Sequence, residues 1–163
     1  MTSIWPQFLQ AAMHYRTFTL IVIGLVLGAL ALLTGKRARN GLRVAQVLLR
    51  WFLLCTVGVG FLGLSLQHLL PHAAPDPVGF QIGLAAAGFA AVGVASAWGD
   101  VGMRLAALIG PTVWIAGGLL GKASGTAGLF SAGDLLLPLV GFALLAWQFR
   151  AQRHRSVFAR SRL

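Results

Sequence analysis

Residues 44–70 read VAQVLLRWFLLCTVGVGFLGLSLQHLL, a run with one formal charge, Arg50, and no proline. An α-helix rises about 1.5 Å per residue, so a run of this length crosses roughly 30 Å of hydrocarbon with tilt to spare. Strands and core helices of soluble domains are shorter and carry more polar interruptions. The residues just before the run, Lys36, Arg37, Arg39 and Arg43, are densely basic, whereas its far end carries His68. The two ends therefore differ in the property that fixes how a helix inserts into a bilayer.

Four further stretches, 18–33, 80–98, 102–120 and 129–149, are apolar over comparable lengths. The segment before the first, with Trp5, Phe8, Leu9, Ala12 and Met13 at helical spacing, reads as interfacial or as an extension of that helix. The connectors 35–43, 71–79, 99–101 and 121–128 are short, which makes consecutive helices antiparallel neighbours. The expected fold is an all-α polytopic bundle of five spans. It forms a single membrane domain over 1–163, with 1–17 as the leading segment and 150–163 as a basic tail.

Composition agrees. Of 163 residues 58% are hydrophobic and 10% charged, with mean hydropathy +0.82, which leaves too little polar surface for a soluble domain. The acids are Asp76, Asp100 and Asp134, against two Lys and eleven Arg, for a net charge of +10. A soluble chain with this balance would point to nucleic acid; here the expected partner is a bilayer with anionic lipid, not nucleic acid. Cys55, the one cysteine, reads as packing. A cleaved signal peptide is disfavoured, because the dense basic run follows the first apolar stretch instead of preceding it, and Ala29-Leu30-Ala31 is the only cleavage-like feature.

The cations also orient the chain. Lys36, Arg37, Arg39, Arg43, Arg50 and Arg104 fall on one side with the tail residues Arg150, Arg153, Arg155, Arg160 and Arg162. Arg16 and Lys122 fall on the other, balanced by Asp76 and Asp134. Basic residues stay cytoplasmic during insertion, so the N-terminus is expected outside and the C-terminus inside, in a bacterial inner membrane. Arg50 and Arg104 read as snorkelling to the inner headgroups. The five tail arginines, with Val157, Phe158 and Leu163 interleaved, read as a membrane-surface segment. Glycines four apart, Gly24/Gly28, Gly79/Gly83 and Gly117/Gly121/Gly125, are expected where helix backbones approach.

Most other titratable groups sort to the outer half, so a ligand or ion site is expected there, drawn from Asp134, Lys122, His68, His72 and Gln81. A carboxylate inside an apolar run costs about 2.5–3.5 kcal/mol on insertion scales and therefore finds a partner or a wet cavity. Pro138, four residues on, removes the helical donor to the Asp134 carbonyl. The competing reading makes Asp134 a helix-start acid near the interface. His68 and His72 are one turn apart, but Pro71 between them spoils a shared metal face, and no Glu or Cys completes a zinc set. No nucleotide loop, nucleophile–base pair or paired carboxylates is present.

From about Arg37 to Arg150 the chain resembles a family of small uncharacterised bacterial polytopic membrane proteins, a domain of unknown function. The likeness rests on Val57-Gly58-Val59-Gly60, His68, Phe80-Gln81 and the Asp134…Pro138 spacing. Two positions depart from it: Gly83 replaces an acid, and Gly121-Lys122 replaces a Gly-His. The resemblance implies a shared fold and supplies no activity. A looser likeness, in helix count alone, is to small four-helix membrane proteins linked to quinol oxidation or thiol stress.

The resulting expectation is a non-enzymatic membrane protein: an accessory or scaffold subunit, or a binder of a lipid-like molecule in the outer half. No catalytic residue, metal or cofactor is expected; the glycine rows read first as building the monomer bundle, with a homo-oligomer or larger membrane complex left open. One alternative is an oligomeric proton-coupled transporter using Asp134 and Lys122, with Pro111 and Pro138 as hinges. Another is a redox protein holding haem or quinone near His14 and His68.

Overall fold

The computed structural model describes residues 15–35, 40–70, 77–123 and 130–160. Among the described residues five helices are long and apolar enough to cross a membrane. Helix α1 is Arg16–Thr34, α3 is Pro77–Trp98, α4 is Val101–Ala123 and α5 is Leu136–Arg160. Helix α2, Gly41–Leu69, is continuous but changes pitch: α-helical to Phe52, π-helical over Leu53–Val59, then α-helical again from Gly60. The expected span 18–33 is lengthened at its start to Arg16, and 102–120 at its end to Ala123. The five-span architecture expected from sequence is thus the one observed. The leading segment with Trp5 lies outside the described residues. The tail through Arg160 continues α5 and forms no separate element.

Helix α2 is the hub. Half of its apolar window is buried inside the bundle, against 17% for α1. Leu49, Phe52, Leu53 and Val57 are fully enclosed. The other helices bury one stripe each and turn Val, Leu and Phe outward, which suits a hydrocarbon solvent. An aromatic chain fills the bundle toward one end. Trp114 lies 5.6 Å from Phe61, 5.3 Å from Phe89 and 5.5 Å from Phe130 between ring centroids, joining α2, α3, α4 and the approach to α5.

Close backbone approach occurs where small residues permit it. A Cβ on Gly24 would meet the Trp51 carbonyl oxygen at 3.0 Å, and one on Gly28 would meet Leu48 at 3.0 Å, so this pair seats α1 on α2. Gly83 faces Leu69 and His68, as the spacing anticipated. The third glycine row behaves differently: Gly117 faces nothing within 4 Å, and α4 instead packs through Gly110 on Phe89 and Gly118 on Phe130. A close backbone-to-backbone crossing lies where the π-segment meets α3, with Gly93 against the Gly58 backbone. A π-turn widens the helix and re-aims its side chains, and here it coincides with Val57-Gly58-Val59-Gly60.

The two prolines sit differently in their helices. Helix α4 runs uninterrupted through buried Pro111. Pro138 occupies the first turn of α5, where helix N–H groups have no partner in any case. The Asp134 carbonyl is not orphaned by Pro138, because the chain there is a 3-10 turn, Ala132–Leu135, and the Leu136 N–H points to the Asp134 and Gly133 carbonyls.

Candidate functional sites at the two ends of the bundle

Antiparallel packing gathers polar side chains at two ends. At the first, the approach to α5 closes on itself through Asp134. Oδ2 accepts from the Ser131 N–H at 2.7 Å and from the Ser131 hydroxyl at 3.1 Å, while the Asp134 N–H donates to the Ser131 carbonyl at 3.0 Å. The Thr17 hydroxyl of α1 donates to Oδ1. The carboxylate thus starts α5 and ties it to α1, as an acid at a helix N-terminus favours. Beside it lies a cavity of about 20 Å³ lined by Arg16, Thr17, Thr56, Phe61, Phe130 and Asp134. That volume suits one water, whereas drug-sized ligands need several hundred Å³.

The other outer-half candidates do not converge on this cavity. Lys122 is exposed at the end of α4 and makes no ion pair with Asp134. His68 is half-buried in the last turn of α2, against Gly83. Gln81 is exposed on α3. His72 and His14, the second member of the expected haem pair, lie outside the described residues. Among the described residues no three His, Cys, Asp or Glu side chains group as metal ligands.

The opposite end holds a feature of another scale. A groove of about 480 Å³ lies between the start of α2 and the α3–α4 corner, lined by Asn40, Arg43, Gln46, Arg50, Trp98 and Arg104 among others. Asn40, on the groove wall, caps α2 by accepting the Arg43 N–H at 3.0 Å. Asp100 caps α4 in the same way, accepting the Met103 N–H at 2.8 Å. The Arg50 guanidinium lies 4.6 Å from the ring centre of Trp98, over its face.

Here the structure overturns the snorkelling assignment of Arg104. Its side chain is only 9% exposed. Nε donates to the Ser96 carbonyl at 3.4 Å, and Nη1 donates to Gln148 Oε1 at 3.0 Å. Gln148, 1% exposed, reaches in from α5. The reason is geometric. Ser96 and the small Ala97 leave room beside α4, so the guanidinium finds acceptors inside the bundle without extending to the headgroups.

Sequence reading thus missed Arg104, Gln148, Ser96 and Trp98 as a unit. A signal did exist: ionisable residues within apolar spans default to a functional reading. Arg50 and Arg104 met that criterion, and Gln148 is a third polar residue at the same depth. The tail cations Arg150 and Arg153 are exposed on α5. The side chains of Arg155 and Arg160, and all of Arg162, lie outside the described residues.

No curated protein and no solved structure matches the chain. A family model does match, over residues 14–154, and this range takes in all five spans and both polar ends. The chain belongs to the family of unknown function DUF6790.

Proposed function

We propose that this protein is a non-enzymatic, multi-pass accessory or scaffold subunit of a bacterial inner membrane, with its arginine-rich end cytoplasmic. The observation that carries this reading is what the acids do. Both described carboxylates, Asp100 and Asp134, are occupied as helix caps. Buried Thr56 and Ser96 and half-buried Thr112 donate their hydroxyls to carbonyls within their own helices. Proton-coupled carriage needs a carboxylate that can change partners within the membrane. Asp134 instead holds two elements together near a helix start, with Lys122 apart from it. Long rows of outward Leu, Val and Phe on α1, α3 and α5 supply surface for lipid or for neighbouring spans.

The test is reconstitution with paired readouts. In vesicles carrying an internal pH dye, wild-type protein should pass protons no faster than protein-free vesicles, and Asp134→Asn should change nothing. A proton flux that Asp134→Asn abolishes overturns the scaffold reading in favour of the carrier. In mild detergent the native mass should exceed that of one chain, through further copies or other membrane proteins. A strictly monomeric particle with no co-purifying chain contradicts it.

A further inference from the structure

We propose that the groove bordered by Arg43, Arg50 and Arg104 binds the phosphate of an anionic phospholipid headgroup. This goes beyond the scaffold reading and stands whether or not the protein has a partner chain.

The charge balance comes first. Among the described residues, three arginines line the groove and no carboxylate does. Asp100 lies close enough to Arg104 to offset it in part, but its Oδ1 is turned to the Met103 N–H of its own helix. Arg50 and Arg104, like charges, line the same groove. The first turn of α2 holds no acid and contains Arg43, a cation at the positive end of a helix dipole. Such an arrangement is costly by itself and is relieved by an anion placed among the guanidinium groups.

The manner in which these arginines are held is the second argument. Arg104 is fixed by a carbonyl and an amide, Arg50 by an indole ring. All three partners are neutral, so position is set while positive charge stays available. Immobilisation beforehand lowers the entropic cost of binding. Arg104 commits Nε and Nη1 inward and leaves Nη2 without a partner among the described residues. Guanidinium forks match phosphate oxygens in shape as well as charge.

Size and setting select the source of the phosphate. A groove of about 480 Å³ accommodates a glycerophosphate headgroup. Its wall includes Leu42, Val47, Ala97 and Trp98, and Trp98 is 62% exposed at the end of a spanning helix. Trp at that depth is an interfacial residue. Acyl chains leaving the groove would meet the apolar flank of the bundle, which a soluble phosphate would not need. Basic pockets between spanning helices on the cytoplasmic side are known to take such headgroups.

The experiment uses the full chain in detergent micelles, with native mass spectrometry of added phosphatidylglycerol and phosphatidylcholine. Phosphatidylglycerol should bind more tightly, and Arg50→Gln should weaken it by roughly tenfold, the effect of one charge-assisted hydrogen bond. Lys122→Gln removes the same unit of charge at the other end and should leave binding unchanged. Thermal unfolding of Arg50→Gln, expected to match wild type, keeps misfolding from mimicking the effect. Equal loss in Lys122→Gln would reduce the effect to net charge and overturn the site. Indifference to the headgroup would do the same. Displacement of the lipid by millimolar inorganic phosphate would move the site to a soluble ligand and refute the lipid assignment.

Discussion

Adding one methyl group to Gly93 should loosen the whole bundle. An ideal Cβ there lies 2.6 Å from the Gly58 nitrogen, 2.8 Å from Val57 Cγ1 and 2.9 Å from the Val57 carbonyl carbon. Ordinary contact begins near 3.4 Å, so α2 and α3 must separate by about 0.8 Å, enough to forfeit a quarter to a half of each dispersion well along the crossing. Two of the three atoms are backbone and cannot rotate away. The third belongs to a valine, whose χ1 is nearly fixed in a helix. Overpacking costs about 1–3 kcal/mol, and these constraints place Gly93→Ala in the upper half, about 2–3 kcal/mol. In membranes this loss is not recovered by burial elsewhere, because lipid tails are as apolar as the core.

The assay is SDS titration of protein in mixed micelles, followed by fluorescence of Trp114 in its aromatic cluster. Helices persist in SDS, so the gain in helix propensity from Gly to Ala largely cancels and the packing term is read directly. Gly88→Ala, at a position on the same helix with nothing within 4 Å, is the control and should stay within about 0.5 kcal/mol of wild type. If Gly93→Ala proves as stable as Gly88→Ala, the close crossing at the π-segment is wrong.

Three further outcomes follow from named contacts. Gln148→Ala should cost about 1.5–3 kcal/mol by stripping Arg104 of its amide acceptor, and Gln148→Glu, which keeps an acceptor, should cost less than half as much in the same titration; equal losses would deny the contact. Asp134→Asn retains one acceptor oxygen and should lose about 0.5–2 kcal/mol through the weakened start of α5 and the Thr17 tie, with Thr17→Val adding little on top of it; full additivity would show that the two residues do not share a bond. Cys55, 6% exposed inside α2, should resist a membrane-permeant maleimide until SDS is added, and rapid native labelling would contradict the burial of the π-segment.

Several features were legible because bilayers impose coarse rules. Run length fixed five helices, and short connectors fixed their antiparallel order. Gly24/Gly28 and Gly83 also declared themselves, because close approach between helices leaves few residue choices. Asp134 showed its dual character in advance, and Ser131 at its side is what makes it a cap. That Asp134 does not pair with Lys122 was not legible, since closeness in sequence across a loop does not determine which way a long side chain extends.

The linear chain, then, determined which helices are long and apolar enough to cross a membrane and where its cations gather, because hydrophobic length and charge act residue by residue. It could not determine that Arg104 turns inward. That depends on acceptors from Ser96, eight residues back, and Gln148, forty-four residues on, which only helix packing brings together. The π-turn and the groove share this origin. Both depend on how α2 seats against its neighbours, and the free energy of that seating is distributed over contacts with no local signature.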